Sequence, residues 1–382
     1  MDLVLSEEQE LLQHTAREFV AGRSSLKRIR TLRDTADPDG FSRALWREMA
    51  RLGWTGIILP EAHGGLGLGY RDMMVVMEEL GRGLMPEPML STVLLGANAI
   101  LLGGSDAQRR EHLPTVAAGE RFLALAWQEP GSRYDPHHVE TRAERAGGGW
   151  RLRGEKIQVL DGAAADRLVV SARTAGGARD ADGITLFVIR PDAPGVALER
   201  QMRVDSRGAA LLHLADARVE TDAVLGQVGG GGPLLARVLD RATVGLTAEM
   251  LGSMSAAFAM TIDYLRTRIQ FDVPIGSFQA LKHRAARMFV ELELARSAVM
   301  HAHRVLDEGR DDTAVARAAS LAKARCSDAF LLIGNEGVQM HGGIGMTDEH
   351  DIGFFLKRAR AAQLTCGDAA WHRDRMARLD GY

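Results

Sequence analysis

Apolar positions recur along the chain in two different rhythms, and the change of rhythm divides it. Ser6-Glu7-Glu8-Gln9 reads as a capping box, with Ser6 and Gln9 satisfying each other's backbone amides at a helix start. Leu12, Ala16, Phe19 and Val20 then keep one apolar face up to Gly22. Leu45, Met49 and Leu52 repeat the helical spacing before Gly53, and residues 71–84 and 89–102 predict two more apolar helices on either side of Pro86 and Pro88. The glycines of His63–Tyr70 predict a structural loop. A phosphate cradle is the sharper reading of that loop, but it lacks the strand, helix and following Lys-Ser/Thr such a cradle uses.

Near residue 121 the period shortens. Phe122–Trp127, Trp150–Val159, Arg167–Ala172, Ile184–Ile189 and Leu211–Leu214 are short apolar runs parted by Gly147-Gly148-Gly149, Gly176-Gly177 and Pro194-Gly195. They predict a compact antiparallel domain. After Gly229–Gly232 and Pro233 the helical period returns over 234–266, 279–308, 312–340 and 347–379, as expected for a four-helix bundle. The expected fold class is α+β: an N-terminal helical domain (1–120), a small antiparallel β domain (121–227) and a C-terminal four-helix bundle (228–382).

Composition narrows the function. The 382 residues are 46% hydrophobic and 25% charged, the profile of an ordinary soluble globular protein. A formal net charge of −3 offers no basic face for nucleic acid. No apolar run approaches the roughly 20 residues that span a bilayer, and the start Met1–Glu8 lacks the pattern of a signal peptide. Cys326 and Cys366 are too few for a disulfide framework or a metal cluster, so no metal is expected and the cytoplasm is the expected place.

Four motifs then stand in order: Glu129-Pro130-Gly131-Ser132; Gly154-Glu155-Lys156 with Asp161-Gly162 and Ala165-Asp166; Arg268-Ile269-Gln270-Phe271 with Pro274-Ile275-Gly276 and Phe278-Gln279; and Gln339-Met340-His341-Gly342-Gly343-Ile344-Gly345. Together they resemble the acyl-CoA dehydrogenase family over essentially the whole chain. The closest resemblance is to the smaller subunit of paired, pimeloyl-CoA-type dehydrogenases, whose closing motif looks like Thr347–Asp351. The resemblance implies FAD as cofactor, an acyl-CoA substrate, electron-transferring flavoprotein as acceptor, and a homo-oligomer or a hetero-oligomer with a homologous larger subunit.

It also implies site residues. Arg268, Phe271, Gln279, Gln339, Gly342 and Gly343 would hold the adenosine half of FAD, reaching across a dimer interface in the family. The chemistry suits them, because a guanidinium is a planar phosphate donor and bare glycines admit a ligand to the backbone. Singly, Arg268 also reads as a surface helix charge and Gly342-Gly343 as a helix break. Trp127, Gln128 and Gln158 would meet the flavin ring. Here the chain departs from the pattern: Gln128 replaces a Thr, Tyr134 a Ser, Gln158 an aromatic and Leu160 a Thr.

The catalytic base departs too. Cys366 stands where most members carry a Glu, and reads as an apolar gap-filler. Some branches place the base on the first bundle helix before an Arg, which here is Asp240-Arg241. Asp240 is flanked by apolar residues, where a carboxylate is costly unless paired or working. The plainer reading is an ion pair with Arg237. The readings are therefore an FAD-dependent dehydrogenase with Asp240 as base, or a non-catalytic or half-site subunit of a mixed assembly. A helical binding protein without flavin leaves Arg268 and Gln339–Gly345 unexplained.

Overall fold

A computed structural model describes residues 4–382, so the Met1–Leu3 part of the start that lacks a signal-peptide pattern lies outside the described residues. The chain divides into two compact units. One comprises the chain start up to Thr31, Tyr70–Met85 and Thr243–Tyr382; the other comprises Leu32–Gly69 and Pro86–Ala242. The first third of the sequence is thus shared between them.

The N-terminal helices are α1 (Glu7–Arg23), α2 (Leu26–Asp34), α3 (Arg43–Arg51), α4 (Tyr70–Arg82), α5 (Asn98–Gly103) and α6 (Asp106–Ala117). The Ser6 capping box forms as expected, Gln9 N donating to Ser6 Oγ at 3.3 Å and Ser6 N to Gln9 Oε1 at 3.2 Å. The glycine loop is structural: the amides of Gly65, Leu66, Gly67 and Leu68 donate to Pro60, Gly56, Leu59 and Ile57 carbonyls at 2.8–3.2 Å. Those donors are already satisfied within the chain, which removes the cradle reading.

One helix differs from its predicted form. Residues 89–102 begin as a π-helix, Met89–Ala97, and only then become α5. All nine π-helical residues are buried, so apolar periodicity selects no face. Two side chains fix the segment instead. Thr92 Oγ1 exchanges 3.2 Å hydrogen bonds with the backbone of Leu123, and Ser91 Oγ donates to Asp161 Oδ2 at 2.5 Å.

The β region holds β1 (Leu123–Ala126), β2 (Arg142–Ala146), β3 (Gly149–Leu160), β4 (Arg167–Arg173), β5 (Ile184–Ile189), β6 (Val196–Met202), β7 (Gly208–Glu220) and β8 (Val224–Leu225). They form one sheet in the order β6-β7-β3-β2-β4-β5-β8, with β1 beside β4. The sheet is mixed rather than purely antiparallel, because β1 and β2 each run parallel to β4. The hairpin β2–β3 intervenes between β1 and β4, a long enough connection for the chain to return in the same direction. Trp150 meets Phe187 edge-on at 5.6 Å in the core, with Leu152, Leu168, Val170 and Leu212 around them. Strands β2 and β6 escaped the sequence reading because RAERA is charged at three of five positions and VALERQM places Glu199-Arg200-Gln201 in its middle, so neither shows an apolar run.

The C-terminal region holds α7 (Gly231–Thr267), the two-residue strands β9 (Ile269–Gln270) and β10 (Val273–Pro274), α8 (Gln279–Asp307), α9 (Asp312–His341), α10 (Ile352–Leu364) and α11 (Ala369–Leu379). The predicted fourth bundle helix, 347–379, is therefore two helices. Cys366 and Gly367 take φ of 58° and 106°, which no α-helix tolerates, and Asp368 restarts the helix by accepting from Trp371 N at 2.9 Å.

Within the helical unit, α4 and the C-terminal part of α7 approach backbone to backbone. A Cβ on Gly252 would stand 1.8 Å from Glu78 O, and one on Gly81 2.1 Å from Glu249 O. Across that seam Ser253 Oγ donates to Gly81 O at 2.9 Å. Arg358 on α10 holds Glu249 bidentately at 2.8 and 3.0 Å, both side chains buried. No helix among the described residues is long and apolar enough to cross a membrane. Gly252→Ala should force the helices apart and cost about 1–3 kcal/mol, as overpacking of a tight core does; a fall in thermal midpoint checks it.

Candidate functional site

The sheet presents the first group of candidate residues. Strand β1 is buried throughout, and Trp127 and Gln128 follow its last residue. Ile157 N donates to Gln128 O at 2.8 Å, which brings this exit against β3. There the register with β7 slips between Lys156 and Val159, and Gln158 adopts φ 53°. The irregularity turns Gln158 out to solvent, the usual use of a bulge beside a site. Gln128 Nε2 donates to Arg133 O at 2.5 Å, so the side chain that replaces the expected Thr is tied to its own turn.

A buried ion pair anchors this exit. Lys156 Nζ donates to Glu129 Oε1 at 2.5 Å and to Ser171 Oγ at 2.9 Å, and Glu129 also accepts from the amides of Glu140 (2.6 Å) and Thr141 (3.1 Å). Burial alone would raise the Glu129 carboxyl, but the Lys156 charge and these hydrogen bonds outweigh it and hold the group below the usual carboxylate range. Burial pushes the Lys156 ammonium down to about 8 against the pull of Glu129. Both groups are ionised at neutral pH.

The helical unit presents the second group. After α7 ends at Thr267, Arg268 leads into the hairpin of β9 and β10. Phe271 and Asp272 form its two-residue turn, with φ of 53° and 61°. Phe271 therefore lies at a hairpin tip rather than one helical turn beyond Arg268, and is 87% exposed. Phe278 meets its ring edge-on at 6.1 Å, and Gln279 opens α8. Arg268, Gln279 and Gln339 are exposed. Gly342 ends α9 with φ 64°, and a Cβ built on Gly342 or Gly343 would meet nothing within 4 Å.

The chain's own packing does not fill the space at these two glycines, nor does it bury Phe271. An open backbone turn, an exposed guanidinium and an exposed ring are the parts that a nucleotide diphosphate requires, so the residues present fit the adenosine half of FAD.

The acid and thiol candidates lie elsewhere. Asp240 on α7 is 5% exposed, with Val238, Leu239 and Ala242 also buried beside it in sequence. Arg241 Nη1 donates to Arg237 O at 3.2 Å. Cys366 is a partly exposed residue of the α10–α11 turn rather than an apolar gap-filler; the buried thiol is Cys326, whose pKa burial pushes up to about 12.

Sequence reading missed what holds that turn. Lys323 Nζ, fully buried on α9, donates to Gln363 O at 3.0 Å and Gly367 O at 2.6 Å. His372 Nε2 donates to Cys366 O at 2.9 Å, while its Nδ1 accepts from Ser320 Oγ at 3.2 Å. The only signal was one Lys in an Ala-rich helix.

Helices, a mixed β-sheet and further helices follow one another along the chain, in the order of a known three-part family. The comparisons agree. Residues 6–120, 124–216 and 229–379 match the N-terminal, middle and C-terminal domains of acyl-CoA dehydrogenase. A mitochondrial isovaleryl-CoA dehydrogenase of Pongo abelii is 30% identical over 97% of this chain and 88% of its own. Butyryl-CoA dehydrogenase from Megasphaera elsdenii superposes with a TM-score of 0.90 at 26% identity, covering 99% of both chains. A chain of the ChsE4–ChsE5 complex from Mycobacterium tuberculosis does so at 0.89 and 27% identity, covering 100% of both. The chain belongs to the acyl-CoA dehydrogenase family; it is an oxidoreductase of that family, and FAD is its cofactor.

His372 supplies a pH test of the α10–α11 turn. Burial, then the Lys323 charge, push its pKa down to about 2. The unfolded chain takes up this proton near pH 6.5 and the folded chain does not, so stability falls as pH drops below 6.5. His372→Gln can keep the donor to Cys366 O and removes the titration. Its unfolding free energy should fall less steeply from pH 6.5 to 4, by up to about 1.4 kcal/mol per pH unit, as denaturant titrations at several pH values will measure.

Proposed function

We propose that this chain catalyses α,β-dehydrogenation of an acyl-CoA thioester, with Asp240 taking the α-proton. The observation that carries the reading is the burial of Asp240 on α7. Some branches of the family carry the base at this place on the first bundle helix, and a positioned carboxylate is the general base that removal of an α-proton needs. Bound FAD supplies the acceptor for the β-hydride, at flavin N5. Arg268 and the amides of the Gly342-Gly343 turn would bind the diphosphate, Phe271 would cover an aromatic face, and Gln279 and Gln339 would fix polar edges of the adenosine. Trp127, Gln128 and Gln158 would stand at the flavin ring, and Arg241 would support Asp240. Electron-transferring flavoprotein is the proposed acceptor of the electrons. Cys326 and Cys366 are joined in no disulfide, which suits a reducing cytoplasm.

A second reading has its own support. Gln128 is tied to Arg133 O, Gln158 stands where the family has an aromatic, and Cys366 stands at the usual base position. These departures fit a half-site subunit that works beside a larger homologue, and the similar ChsE4–ChsE5 structure is a complex of two named chains. A homo-oligomer serves the first reading and a hetero-oligomer the second.

The flavin grip is tested by Arg268→Ala. One charge-assisted phosphate contact is worth about 1.5–3 kcal/mol, so FAD affinity should fall at least roughly tenfold by titration. The melting of the flavin-free protein should not move, because the side chain is exposed.

The base is tested by Asp240→Asn, which keeps shape and polarity. Flavin bleaching by acyl-CoA in anaerobic stopped-flow should slow by roughly 10²–10⁴-fold with FAD still bound, while Cys366→Ser changes the rate little. Unaltered bleaching in the Asn variant eliminates Asp240 as the base. If the unmutated protein bleaches with no thioester but does so with a co-purified homologue, the half-site reading replaces the first.

A further inference from the structure

Three rings lie directly behind the two elements assigned to the adenosine half of FAD. Tyr264 is on the last turn of α7, and its carbonyl accepts from Arg268 N at 2.9 Å. His341 is the last residue of α9, immediately before Gly342. The two rings stack with centroids 4.4 Å apart and planes 32° from parallel. His350 closes the group, 4.3 Å from His341 and 6.3 Å from Tyr264.

Hydrogen bonding shows what His341 is doing there. Its Nδ1–H donates to Gly337 O at 2.6 Å, which leaves the lone pair on Nε2. That atom is buried and has no hydrogen-bond partner, and the residue is 2% exposed. A buried unsatisfied acceptor is costly; Nδ1 ties the ring to its own helix, and the Nε2 side of the imidazole contributes only packing against the neighbouring rings. Burial also holds the His341 pKa below the ordinary value, opposed by the Gly337 hydrogen bond and helped by His350. His350 Nδ1 accepts from Ile352 N at 3.2 Å, which fixes the outer ring against the start of α10.

The elements in front of the stack are held at their bases, by Ile275 N donating to Arg268 O at 2.9 Å and Thr347 N to Ile344 O at 3.1 Å, but their outer parts are open. All four strand residues of the hairpin are exposed, as is Phe271 at its tip, and the Gly342-Gly343 turn faces open space. We infer that the Tyr264–His341–His350 stack is a positioning device that locks the Arg268 hairpin and the Gly342-Gly343 turn into one register. The inference rests on the FAD reading for its purpose, but the coupling itself belongs to this chain alone. Loosening one ring should loosen both elements, although they lie far apart in the sequence.

Hydrogen exchange read by mass spectrometry tests the coupling without FAD. In Tyr264→Leu the segment 342–347 should exchange faster, and in His341→Ala the segment 269–276 should, each several-fold, while β5 in the sheet stays unchanged. Tyr264→Phe and His341→Phe keep a ring and should exchange as the unmutated protein does. FAD titration of the same proteins should show the Leu and Ala variants weakened roughly three- to tenfold, in line with the worth of one ring pair, and the Phe variants unweakened. Each variant loosening only its own segment overturns the inference. So does equal loosening by Phe and by Leu or Ala, or faster exchange spread to β5. Failure of every protein, the unmutated one included, to take up FAD overturns the flavin reading instead, and the exchange results still decide the stack.

Discussion

The Lys156–Glu129 ion pair is the constraint on which the β-sheet side of the site depends. It lies where β1 ends, on β3, and against Ser171 of β4, so a single buried contact ties three strands. The same carboxylate accepts the Glu140 and Thr141 amides and so folds the connection after Gly131 back onto the sheet. Arg173, fully buried on β4, completes that connection by donating to the carbonyls of His137 and Val139 at 2.8 and 3.1 Å. Removing one partner of such a pair strands the other charge in the interior, at a cost of about 3–5 kcal/mol. Neither partner is needed as a flavin contact; their part is to fix the backbone of Gln128 and Ile157.

Five of the ten described non-glycine residues with positive φ lie on elements that carry candidate site residues. Gln158, Asp161, Phe271, Asp272 and Cys366 are non-glycine residues with positive φ, a conformation that costs free energy and persists only where surroundings impose it. At each the imposing contact is visible: the slip in register after Lys156, the Ser91–Asp161 hydrogen bond, the two-residue turn of the hairpin, and Lys323 with His372 around the α10–α11 turn. Asp161 shows how tight this is, since burial raises its pKa to about 6 even with Ser91 donating to it.

Much of this was legible in the sequence, and the failures have physical causes. Helices α1 and α3 were announced by a capping box and by apolar spacing ended at glycine, both local signals. Strands β3, β4 and β5 were read from apolar runs, whereas β2 and β6 carry charges on strands whose identity comes from their neighbours in the sheet. The break at Cys366-Gly367 was hidden because the donors that satisfy it, Lys323 and His372, come from α9 and α11. For the candidate site, the motifs located Arg268, Gln339 and the two glycines, but composition gave no reason to notice Tyr264, whose role depends on a ring contributed by α9.

The two halves of the proposed cofactor site therefore carry unequal evidence. At the adenosine end, the side chains and bare glycines are those the family pattern contains, and they stand exposed where a ligand can reach them. At the ring end, the backbone is held as rigidly, by the Glu129 pair and the bulge, but the side chains it offers have changed to Gln128, Gln158 and Leu160. If Arg268 and the two glycines hold FAD as proposed, the altered residues at the ring end bear on the reaction rather than on cofactor affinity, because Gln128 is already tied to Arg133 O and Gln158 projects to solvent. A different substrate met by a different base, or a partner chain that supplies what this one lacks, would each account for that division.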